Sequence, residues 1–146
     1  MIEVYRHTLF SVVEALARAM RDEGSFKSNS WNPTKLEAML ESPDVFCALI
    51  KDDQHQYYGG IIGMVSEQFF GNDIIACDLG LFILPSKRGT SAAPRLIQAF
   101  EHWAKERGAT EIHLGQTTGV EVDRTRRLYE AMGYEVVGFN AKKEIK

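Results

Sequence analysis

Lys87, Arg88 and Arg95 stand close together in a stretch otherwise made of small side chains, Pro85-Ser86-Lys87-Arg88-Gly89-Thr90-Ser91-Ala92-Ala93-Pro94-Arg95. An apolar run precedes it and a helical pattern follows it, so it joins a strand to a helix N-terminus. Small side chains let a ligand come close to the backbone. The free N–H groups and positive dipole end of a helix start favour phosphate, and the three cations add charge of the right sign. The competing reading is a solvated turn with ordinary surface cations. The stretch lacks the Gly-Lys-Ser/Thr ending of a P-loop and the GxGxxG of a dinucleotide fold. Two further residues stand out. Asp78 interrupts an apolar run, Ile74-Ile75-Ala76-Cys77-Asp78-Leu79-Gly80-Leu81, where a carboxylate needs partners or a raised pKa. Strict strand alternation puts it on one face with Gly80 and Phe82. Tyr129 lies on the apolar side of a helical segment, and a phenol with a pKa near 10 is protonated at neutral pH.

The elements that must hold these residues follow from periodicity. Ile2–Tyr5 is a short apolar strand. Leu9, Val12, Val13, Leu16, Ala19 and Met20 recur at helical spacing between Thr8 and Asp22. After a loop, Gly24–Trp31, a second helix begins with Asn32 as cap and Pro33 at its first position, and Pro43 ends it. Val45–Lys51, Gly60–Phe70 and Ile74–Leu84 are expected to form an antiparallel meander, with turns at Asp52–His55 and Gly71–Asp73. A helix from Ala92 to Arg107 buries Leu96, Ile97, Phe100, Trp103 and Ala104. Glu111–Gln116 is a strand, Asp123 caps a helix that runs through Met132, and Tyr134–Phe139 is the last strand. The order is β-α-α-β-β-β-α-β-α-β, an α/β (α+β) mixed sheet with helices on its faces.

The chain has 146 residues, 45% apolar and 25% charged, which fits one domain over 1–146 and excludes disordered, collagenous and disulfide-scaffold classes. Net charge is −3, which argues against a general polyanion binder. Cys47 and Cys77 sit in apolar runs and read as reduced core thiols. Neither has a His or Cys at metal-ligand spacing, so no metal is expected. Without an apolar leader or a bilayer-length apolar run, the expected setting is soluble, cytoplasmic and away from membranes.

The stretch Leu81–Gly89 resembles the strand-to-helix motif of the GCN5-related N-acetyltransferases (the GNAT superfamily), whose loop reads Arg/Gln-x-x-Gly-x-Gly/Ala. Here those positions are Arg88, Gly89, Thr90, Ser91, Ala92 and Ala93. The first and last match, Ser91 replaces the central glycine, and Pro94 removes a donor just beyond. Downstream, Arg127-Leu128-Tyr129-Glu130-Ala131-Met132-Gly133-Tyr134 resembles the family's Leu-Tyr-Glu-x-x-Gly-Phe signature. The whole pattern also resembles small members from phages and prophages.

The resemblance implies a sheet whose central strands splay apart. It also implies acetyl-CoA as acyl-donor substrate, with the backbone of Leu81, Phe82 and Ile83 pairing with the pantetheine arm and the loop from Arg88 to Ala93 taking the diphosphate. It implies direct attack by an amine in a complex of both substrates, with Tyr129 protonating the leaving thiolate. Asp78 falls near the strand position where several relatives carry a base. The alternative is a structural carboxylate bonded to a neighbouring strand or loop. Glu67 is the next base candidate, against its reading as a solvated strand-end residue, and His113 reads as a satisfied sheet histidine rather than a base.

The acceptor side, by the same resemblance, is shaped by the first two helices and the loop Gly24–Trp31. Gln116, Thr117 and Thr118 follow the fifth strand as further lining residues. Phe69-Phe70 and Tyr57-Tyr58 read mainly as half-buried strand pairs. Arg124, Arg126 and Arg127 read as a solvated face beside the CoA 3′-phosphate, with nucleic-acid contact as the minority alternative. A homodimer is a common state among relatives. The departures at Ser91 and Pro94 motivate a second function class, a non-catalytic module of the same fold that binds CoA or a partner.

Overall fold

The computed structural model describes residues 1–24, 30–116 and 119–145. Five strands form one sheet in chain order: β1 Ile2–Val4, β2 Val45–Lys51, β3 Tyr57–Glu67, β4 Ile74–Ile83 and β5 Ala109–His113. The first three pairings are antiparallel and the β4–β5 pairing is parallel. The helices are α1 Phe10–Glu23, α2 Pro33–Leu40, α3 Ala92–Glu106 and α4 Val122–Ala131. The mixed α/β architecture expected from the sequence is therefore present.

Strand β2 is apolar from Val45 to Ile50 because both of its faces are covered there. Phe46, Ala48 and Ile50 join the cluster under α3, while Cys47 and Leu49 join the one under α1 and α2. Helix α3 buries Leu96, Ile97, Phe100 and Ala104 completely, the three-and-four spacing read from the sequence. Phe100 can pack closely on the sheet because the residue beneath it is Gly63, where a Cβ would overlap the ring. The Asn32 side chain caps α2 by accepting from the Lys35 N–H at 3.0 Å, with Pro33 at the first position. Cys47 is buried and its thiol is pushed up to about 12 by desolvation, so it is inert as a nucleophile.

Several boundaries differ from the reading above. A 3-10 turn at His7–Leu9 precedes α1, and β3 starts earlier, at Tyr57. Helix α4 is capped by Glu121, in the left-handed region at φ 47°, rather than by Asp123, which lies in its first turn. Strand β5 spans Ala109–His113, so Leu114–Gln116 lie outside the ladder.

The expected last strand, Tyr134–Phe139, is not formed. Its apolar pattern satisfies the sequence criterion, but a strand also needs a paired edge and a covered face. Tyr134 reaches the core and donates to Glu101 at 2.6 Å, whereas Val137 and Phe139 are almost fully exposed. No helix among the described residues is long and apolar enough to cross a membrane.

Candidate functional site

Strands β4 and β5 pair only as far as Cys77 and His113. Strand β4 then continues through Ile83, still paired to β3, with no strand among the described residues on its other side. The result is a fork: the edge of β4 beside Leu81, Phe82 and Ile83 faces an opening. Backbone groups on such an edge need partners, and an extended ligand can supply them. One of them is already engaged, because the Ile83 carbonyl accepts from Arg88 Nε at 2.9 Å.

The loop after β4 sits at the mouth of this opening. Gly89 is at φ +84°, a conformation that suits glycine, and a Cβ there would stand 2.6 Å from an Arg124 guanidinium nitrogen. The Thr90 hydroxyl donates to the Lys87 carbonyl at 3.0 Å and accepts from the Ala92 N–H at 3.3 Å, which curls the loop. The N–H groups of Gly89, Thr90, Ser91 and Ala93 have no hydrogen-bond partner among the described residues. Together with the start of α3 they are available to an anion.

The loop's cations divide in role. Arg88 is a clasp: its guanidinium binds Glu23 at the end of α1 with two nitrogens and lies 3.6 Å from Glu121 at the start of α4. That pairing holds the Glu23 carboxyl below its ordinary range. Lys87 is 3.9 Å from Asp52, and Arg95 is exposed. Arg124 and Arg126 are each paired with an acid three residues back, the cap Glu121 and Asp123 in the first turn of α4. Those pairings offset much of the charge that a nucleic-acid surface would need.

Gly89→Ala tests the loop directly. Strain at positive φ and the Arg124 overlap are expected to lower the melting temperature by a few degrees and to weaken binding of a diphosphate-bearing ligand about tenfold, read by calorimetry. Undiminished affinity would count against the loop as the diphosphate seat.

Tyr129 is 8% exposed, and its hydroxyl donates to the Gly115 carbonyl at 3.0 Å. Burial, then the nearby Asp78 charge, push its pKa well above that of an ordinary phenol, so it stays protonated. Asp78 is not on the face with Gly80 and Phe82. Gly80 opposes Ile62 and Asp78 opposes Gly63, so Leu79 is an extra residue and the alternation breaks there. Gly80 looks toward Met20 of α1, whereas Asp78 shares the side of Gly63, Phe100 and α4. Its carboxylate accepts from the Gly115 N–H at 3.0 Å. Burial raises the Asp78 pKa, and the Gly115 bond draws it part of the way back.

The structure thus brings Tyr129, Asp78 and the opening together around Gly115, a residue not singled out in the sequence. No sequence signal marks it beyond its being a glycine directly after a strand. His113 pairs with Glu111 on the exposed side of β5, and Glu67 is exposed at the far end of β3. The loop residues 25–29 and Thr117 and Thr118 lie outside the described residues. Gln116 donates to the Val120 carbonyl at 2.5 Å. Among the described residues, no cluster of three His, Cys, Asp or Glu side chains could hold a metal ion.

Comparison with known proteins bears on this arrangement. The protein-family model described as the Acetyltransferase (GNAT) family matches residues 13–134. No match was found among curated proteins. Similar solved structures include an aminoglycoside acetyltransferase from an uncultured soil metagenomic sample, in complex with trehalose. It is 19% identical, with 99% of this chain and 96% of that one covered and a TM-score of 0.77. The ribosomal-protein-alanine N-acetyltransferase of Brucella melitensis biovar Abortus 2308 is 15% identical, with 99% of each chain covered and a TM-score of 0.75. The aminoglycoside enzyme AAC(6')-Iy, in complex with a CoA-S-monomethyl-acetylneamine bisubstrate analog, is 18% identical, with 98% and 97% covered and a TM-score of 0.77. At these identities the likeness is one of fold.

Proposed function

Because the chain belongs to the acetyltransferase (GNAT) family, we propose that it moves an acetyl group from acetyl-CoA to a primary amine, by direct attack while both substrates are bound. The observation that carries this reading is the fork: β4 runs on past its last β5 partner and ends in a loop with unpartnered N–H groups. An extended pantetheine arm fits the open strand edge, and a diphosphate fits the loop. Acetyl-CoA supplies the activated acyl group as a thioester.

The chain's residues do the rest. The edge of β4 at Leu81 and Phe82 orients the arm. Gly89, Thr90, Ser91 and Ala93 offer N–H groups to the diphosphate, and Arg88 fixes the loop against α1 and α4. Tyr129 turns its hydroxyl hydrogen from the Gly115 carbonyl to the departing sulfur and gives it the proton, and the proton shed by the acylated nitrogen restores the phenol. The amine must arrive neutral, so the rate is expected to rise with pH until the acceptor is deprotonated.

The acceptor class is a small-molecule amine, a protein amine or an amine on a modified nucleobase. The relatives of similar fold named for aminoglycosides and for a ribosomal protein's alanine support the first two. The test is calorimetry with acetyl-CoA and CoA, followed by thiol release across a panel of these three amine classes. Binding of both nucleotides with amine-dependent thiol release supports the reading. Binding without turnover on any amine points to a non-catalytic module, and no binding overturns the reading.

A further inference from the structure

We propose that Asp78 is a positioning residue that sets the fork: its carboxylate takes the place of the next rung of the β4–β5 ladder, holds Gly115, and through Gly115 aims the Tyr129 hydroxyl. What Tyr129 does chemically rests on the acetyl-transfer reading; the link from Asp78 to Tyr129 does not.

The ladder ends at Cys77 and His113, and Asp78 is the next residue of β4. In a continuing parallel ladder the N–H groups beyond His113 would find backbone carbonyls of β4. Instead the Gly115 N–H finds the Asp78 Oδ1 at 3.0 Å. A side-chain acceptor is longer than a carbonyl, so it satisfies the donor while holding the two backbones apart. The extra residue at Leu79 makes this reach available, because it turns Asp78 toward β5 and α4 while Gly80 faces α1.

Gly115 is then tied at both of its polar groups. Its N–H goes to Asp78 on β4, and its C=O accepts from Tyr129 on α4 at 3.0 Å. A glycine left free at this point would have wide backbone freedom, and the phenol would inherit it. Tyr134 steadies the other side: its N–H donates to the Tyr129 carbonyl at 3.0 Å, and the two rings lie 6.1 Å apart. Asp78 lies on the side of Tyr129.

Two variants separate the roles. Asp78→Asn keeps an oxygen acceptor for Gly115 and removes the charge; Asp78→Ala removes the acceptor. In the ligand-free protein, hydrogen exchange followed by NMR should show the Gly115 amide protected in wild type and Asp78→Asn, and about tenfold less protected in Asp78→Ala. In turnover, Asp78→Ala should lose about tenfold in kcat with the KM for amine nearly unchanged, while Asp78→Asn stays within about threefold. The acid limb of the pH–rate profile should survive in Asp78→Asn. In a Tyr129→Phe background, Asp78→Ala should cost less than it does alone.

An Asp78→Asn variant as impaired as Asp78→Ala, with its acid limb gone, would make Asp78 the base and overturn the proposal. So would unchanged Gly115 protection in Asp78→Ala. If Asp78→Ala fails to fold, Asp78→Asn decides by its Gly115 protection and acid limb. If the wild type does not bind acetyl-CoA, the acetyl-transfer reading fails by itself and the exchange measurement still judges the link.

Discussion

Replacing Tyr129 by phenylalanine is expected to lower kcat about a hundredfold, the lower end of what a positioned general acid contributes. The dissociation constant for acetyl-CoA should stay within about twofold. The substitution removes one oxygen and keeps the ring that packs among Tyr134 and the core under α3. The oxygen's one hydrogen bond, to the Gly115 carbonyl, is worth about 1 kcal/mol to the fold, so the variant should remain folded. The loss in turnover arises elsewhere. Burial holds the phenol's pKa above its ordinary value, so at working pH the resting group is a neutral donor, and a phenolate formed by giving up the proton is quickly reprotonated.

A sulfur that leaves with negative charge gains most from a preorganised donor, and the Tyr129 hydrogen, held at the Gly115 carbonyl in the resting protein, is close at hand for it. The same shift has a consequence for pH. Deprotonation of Tyr129 lies beyond the working range, so any fall in rate at high pH belongs to another group and should persist in the phenylalanine variant. The measurements are thiol release for kcat and calorimetry for binding. Unchanged turnover would remove Tyr129 from the chemistry. Lost binding would make it a structural support of the fork instead.

The readable and unreadable parts of this site divide along a physical line. Local chemistry was readable. The small residues from Gly89 to Ala93, the cap at Asn32 and the spacing of Leu96, Ile97 and Phe100 each act within a turn or two of chain, and each stands where expected. Long-range geometry was not. The Arg88 clasp joins residues 65 positions apart, and nothing near Glu23 announces it. The face of Asp78 was misassigned because alternation holds only for an unbroken strand. The one hint of a break was a lone glycine, Gly80, inside an apolar run. The last strand was misassigned for the opposite reason. Val136, Val137 and Phe139 have strand-forming side chains, but strand formation depends on an edge and a face that the local sequence does not contain.

The loop that would receive the diphosphate depends on α3 staying seated, and Phe100 on Gly63 is one place where α3 meets the sheet in tight contact. Phe100→Ala is expected to cost about 3–5 kcal/mol in chemical unfolding, because the ring is wholly buried and its neighbours are a rigid sheet that cannot collapse into the space. The reverse error is also costly. Gly63 lies directly under the ring, so Gly63→Ala puts a methyl group where Phe100 carbons already are, and overpacking of this kind costs about 1–3 kcal/mol. The two effects share one volume, so they should not add. In a Phe100→Leu background the smaller side chain leaves room for the methyl group, and Gly63→Ala should lose most of its penalty. Denaturant unfolding of the four proteins in that cycle measures the coupling. Strict additivity would mean that the ring does not rest on Gly63, and that α3, with the loop it carries, is held by other contacts.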